Sequence, residues 1–102
     1  MTDDTLRYAR QLIGERINEI EALMPRLAPS AIRDRMDAIR AMAVEHGLVA
    51  LEGLADYGAH HALMPGHGQA TRCCLDHMTA ALASERRADR ESILASVALR
   101  IR

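Results

Sequence analysis

Four of the five histidines and both cysteines of the chain fall within residues 60–77, HHALMPGHGQATRCCLDH. Imidazole and thiolate are the donors that a tetrahedral zinc ion or a copper ion takes. Cys73 and His77 stand four residues apart, so on a helix they share one face, and Tyr57 and His61 repeat that spacing. MPGHG between the two pairs reads as the turn of a helical hairpin. If the hairpin is centred near His67, residue 61 comes level with residue 73, and residue 57 with residue 77. For one of the two possible placements of the fourth helix those flanks face each other, so that His61, Cys73 and His77 converge and His67 reaches in from the turn as a fourth ligand to zinc or copper. Such a group would also serve as a thiol sensor. The spacing matches no established zinc pattern, however, and no CxxC half is present. The plainer reading makes Cys74 a core residue, Cys73 a half-exposed thiol, and the histidines a solvated flank, with His60 pointing away from the core. A nucleophilic Cys73 with His77 as its base lacks an orienting third group and a glycine-rich turn to form an oxyanion hole.

A second chemistry is suggested by HHALMPG. His61, Leu63 and Gly66 echo the phosphotransfer motif and so resemble histidine-phosphotransfer domains, four-helix bundles in which an exposed histidine carries a phosphoryl group. The resemblance covers residues 60–66 only and implies that His61 or His60 would be phosphorylated. The chain departs from the motif at three points: the glycine comes one residue late, Pro65 interrupts the helix, and the lysine that would stabilise phosphate charge is missing, with Met64 and Pro65 in that region instead.

These residues need helices to hold them, and the apolar spacing predicts helices throughout. Leu6, Ala9, Ile13, Ile17, Ile20 and Met24 recur at steps of three and four over residues 5–24, with Asp3, Asp4 and Thr5 in front and Pro25 behind. Ile32, Met36, Ile39 and Ala43 line a second helix that starts at Pro29 and stops at Gly47. Leu48, Leu51, Ala55, Gly58 and Ala62 line a third, which Pro65, Gly66 and Gly68 break. A fourth over residues 69–84 buries Cys74, Leu75, Met78, Ala81 and Leu82. A fifth, capped by Asp89, places Ile93, Leu94, Val97 and Ile101 inward. The join SERRAD holds neither glycine nor proline, so one helix from about residue 69 to 101 is the alternative. No strand alternation and no internal repeat appear. The expected fold is all-α, one domain over residues 1–102, a small antiparallel bundle of four or five helices.

Composition narrows the function. The formal net charge is −1, and all 13 basic residues are arginine, which removes any lysine-based Schiff-base chemistry. Residues 41–54, AMAVEHGLVALEGL, allow a helix-turn-helix, but the recognition helix would carry Glu52 and Asp56 and no arginine, so it would repel phosphate. No nucleic-acid or membrane partner is expected, and neither a membrane span nor a secretory leader is visible. Adjacent cysteines rarely bridge each other, so reduced thiols and a cytoplasmic setting are expected. Phe and Trp are absent, and six methionines and many alanines fill the core. A thin core of this kind favours self-association. Leu12 and Leu23 widen the stripe of the first helix and Leu99 that of the last, beyond what a small bundle covers. The expectation is a non-catalytic interaction or regulatory module, without a cofactor, that forms a homodimer or binds another protein through an apolar helical face.

Overall fold

In the computed structural model the backbone is described over residues 2–101 and the side chains over residues 4–85. Four α-helices account for nearly all of it: α1 Thr2–Leu23, α2 Pro29–Glu45, α3 Val49–His61 and α4 His67–Ile101. A single 3₁₀ turn, Met24–Arg26, joins α1 to α2. Among the described residues there is no strand. The expected fourth and fifth helices are one helix of 35 residues. Asp89 therefore lies inside α4 rather than at a helix start. Without a glycine or proline between Gly68 and Arg102, nothing interrupts the run of i→i−4 hydrogen bonds.

Two glycines set the path. Gly47 has φ +69, and the Leu48 N–H donates to Ala43 O at 2.9 Å while the Gly47 N–H donates to Val44 O at 3.3 Å. This pair of bonds is a Schellman closure, and the buried Leu48 and Ala43 give its apolar contact. Gly66, at φ +77, turns the chain from α3 into α4. Pro29 opens α2, where its missing N–H is no loss. Asp3 and Asp4 fall within the first turn of α1, which begins earlier than the sequence spacing indicates.

The helices pack in a ring, each against its neighbours in the order α1, α2, α3, α4. The stripes read from spacing form one core: Ile13, Ile17 and Ile20 from α1, Ile32, Met36, Ile39 and Ala43 from α2, Leu51 and Ala55 from α3, and Cys74, Leu75, Met78 and Leu82 from α4. Leu6, Met24 and Ala81 pack at its margin. Two polar residues also lie on these stripes and are buried, Arg10 and Thr71. Arg10 reaches Glu85 at 3.6 Å, which fixes the register of α1 on α4. At the other end, Met24 and Pro25 share a groove with Arg72 and Leu75.

Candidate functional site

The histidine–cysteine hairpin does not bring its donors into one sphere. Residues 62–66 form the link between α3 and α4, and His67 is already the first residue of α4. The turn therefore pivots near Met64, whose carbonyl accepts the His67 N–H at 3.2 Å. With that pivot, residue 61 is level with residues 67–68, and residue 73 lies about 8 Å further along α4. The contact between Cys74 and Leu54 confirms the register. Each predicted ligand goes its own way. The His61 ring stacks on Tyr57 with centroids 3.9 Å apart, and its Nδ1 donates to Tyr57 O at 2.9 Å. His67 is half-buried at the start of α4, while Cys73, His77 and His60 are exposed. Among the described residues, no group of three or more His, Cys, Asp or Glu side chains is placed to hold a metal ion. The position of the turn thus leaves His61, His67, Cys73 and His77 in separate surroundings. Leu63 and Gly66 fall in the link rather than on the helix carrying His61, so the phosphotransfer geometry is not reproduced either.

Cys74 is the residue that the structure singles out. Its thiol is buried, donates to Leu54 O at 2.9 Å and lies 3.8 Å from Met78 Sδ. Gly58 makes room for it. A Cβ there would meet Met36 Sδ at 2.9 Å and Cys74 Sγ at 3.1 Å. Burial pushes the Cys74 thiol up from 9.0 to about 11, with Cys73 adding to the rise and a backbone hydrogen bond from Gly58 opposing it. The thiol is therefore an inert core group, not a nucleophile. Below pH 9 both folded and unfolded chains keep it protonated. Above pH 9 the unfolded chain ionises first, so stability falls between pH 9 and 11, by about 2–3 kcal/mol in all. Urea unfolding across that range measures the loss, and Cys74→Ala should remove most of the slope. In the native protein, iodoacetamide should modify Cys73 and leave Cys74 untouched; equal labelling of the two would contradict the burial.

The second feature is the unequal length of the helices. From the Arg10–Glu85 contact, α1 ends near the level of residue 93 of α4. The α2–α3 turn lies lower, since the contact of Cys74 with Leu54 places Val49 near the level of residue 80. The last turns of α4 run on past every other helix. The molecule measures 57 × 22 × 21 Å, and an α-helix of 35 residues is itself about 52 Å long. Its radius of gyration is 15.6 Å, where a compact domain of this length has about 13 Å. Where the extension emerges, Tyr8, Val44 and Val49 are exposed at 66%, 52% and 75%. Leu12 and Leu23, expected to be surface leucines, are half-buried, and Leu99 lies outside the residues with described side chains.

Among the described residues, no helix is long and apolar enough to cross a membrane. No family model matches the chain, and comparison with curated proteins and with solved structures finds no match.

Proposed function

We propose that this protein is a non-catalytic, antiparallel four-helix interaction module of the cytoplasm that associates with a second copy of itself through the extended end of α1 and α4. The observation that carries this reading is the overhang of α4. Isolated helices shorter than about 12–15 residues are marginal in water, and most helix stability comes from burying an apolar stripe. Ile93, Leu94, Val97 and Ile101 keep the three-and-four spacing of such a stripe to the end of the chain, beyond the reach of α2 and α3. Accessible surface supports the same conclusion. The chain exposes 6895 Å², whereas a compact monomer of 11.2 kDa exposes about 5,700 Å². The excess, about 1,200 Å², exceeds the roughly 800 Å² per partner buried in a standard interface. Free thiols at Cys73 and Cys74 fit a reducing compartment.

Amide exchange tests this reading. Backbone N–H groups at residues 94–101 should be protected at high protein concentration and lose that protection on dilution. Free exchange there at every concentration would rule the interface out.

A further inference from the structure

We infer that Met36, Cys74 and Met78 form a binding site for one soft monovalent cation, of the copper(I) class, beside the notch that Gly58 leaves on α3. The site uses none of the exposed histidines and does not depend on self-association.

Geometry gives the first argument. Met36 on α2 and Cys74 on α4 meet at Gly58 of α3, and Met78, one turn beyond Cys74, has its sulfur 3.8 Å from the thiol. All four residues are buried. A metal–sulfur bond is about 2.3 Å long, so two ligands of a three-coordinate centre stand about 4 Å apart. The Cys74–Met78 pair already has that spacing. The notch brings in the third sulfur. A Cβ added to Gly58 would lie 2.9 Å from Met36 Sδ, 3.1 Å from Met36 Cε and 3.1 Å from Cys74 Sγ. Carbon packs at about 3.5–4.0 Å, so the notch is too tight for a methyl group. A directly bonded ion stands closer, at about 2.3 Å, and fits where carbon does not. Met36 has only to turn its sulfur inward, a movement its flexible thioether allows and one that asks nothing of the packing behind it.

Donor type and charge then select the ion. One thiolate with two thioethers is a soft set that suits copper(I), not magnesium or calcium. Binding breaks the Cys74 S–H bond and forms the sulfur–metal bond, and the proton leaves to solvent in place of donating to Leu54 O. One thiolate cancels one positive charge, so the closed site is neutral, as a buried position requires. A zinc ion would leave a net charge in the core, and among the described residues no cluster of His, Cys, Asp or Glu stands ready to balance it. The backbone hydrogen bond from Gly58 favours the thiolate and so supports the ligand from outside the coordination sphere. Leu54, beside the thiol, is half-buried where the three sulfur residues are sealed, and it marks the side from which an ion enters.

Titration of the full-length chain with copper(I), supplied without oxygen as its acetonitrile complex in competition with a chromophoric chelator, tests the site. Cys73→Ser, which removes the exposed thiol, is the parent, and native mass spectrometry counts the ions. The expected result is one ion per chain, bound at least tenfold more weakly in Met36→Leu and in Met78→Leu and lost in Cys74→Ala. Exchange of Met for Leu is among the changes that cores tolerate best, so the leucine variants decide the matter even if Cys74→Ala does not fold. Affinity in the parent should rise about tenfold per pH unit from about pH 6 to 9, because one proton leaves on binding and burial keeps the free thiol protonated up to about 11. A parent that binds no ion overturns the inference, including the case in which binding needs Cys73. Equal affinity in the parent and both leucine variants means a thiol acting alone, and a flat pH dependence means no thiolate ligand; either result overturns it as well.

Discussion

Replacing Gly58 with Val should destabilise the protein by about 3 kcal/mol, the upper end of ordinary overpacking. The first added carbon would already stand 2.9 Å from Met36 Sδ and 3.1 Å from Cys74 Sγ, and both of those residues are sealed in the core. Met36 is flexible, but at 0% exposure it has nowhere to move. The γ-carbons of valine then press on the same two sulfurs. Better helix propensity than glycine returns only a few tenths of a kcal/mol. Gly58→Ala is milder, because a gain of about 1 kcal/mol in propensity offsets much of the crowding. The diagnostic result is the coupling. Met36→Ala alone should cost about 3 kcal/mol through its cavity. In that background Gly58→Ala should become stabilising, with an interaction term above about 1 kcal/mol. Urea unfolding at one fixed protein concentration measures all four corners of the cycle, and strict additivity would show that Gly58 is not held by its sulfur neighbours.

Ending the chain at Arg87 should abolish dimerisation while leaving the bundle folded. The cut keeps Arg10 on Glu85 and every described core residue. It removes the uncharged segment 92–99 and the whole overhang. Helicity by circular dichroism should fall by about the residues deleted and no more. The intact chain should melt at a midpoint that rises with protein concentration, as dissociation accompanies unfolding. The shortened chain should melt at a midpoint independent of concentration. If it fails to fold, residues 88–102 belong to the monomer's own core and the interface reading loses its foundation.

The comparison of sequence with structure is instructive because success and failure have the same physical source. Spacing located the stripe Ile32, Met36, Ile39 and Ala43, and all four are fully buried. Gly47, Pro65 and Gly66 marked real turns, because backbone geometry at a helix end is set locally. Arg10 and Thr71 lie on their stripes by the same spacing, Arg10 three residues before Ile13 and Thr71 three before Cys74, and both are buried, but a stripe traced through apolar residues alone passes over them. The spacing was the signal that finds them. The hairpin register was not legible. Whether His67 and Gly68 belong to the turn or to α4 depends on packing against α3, and that difference separates His61 from Cys73. Nor did local signals decide the continuity of α4, since a stretch without glycine or proline is compatible with either outcome.

The central claim is that the extended end of α1 and α4 is covered by a second copy of the chain. Sedimentation equilibrium of the intact, untagged protein over a concentration series tests it most directly. The expected result is a mass of twice 11.2 kDa at micromolar concentration, falling towards one chain on dilution. A mass of one chain at every concentration up to ~100 μM would contradict it, because an interface that weak corresponds to less than about 6 kcal/mol.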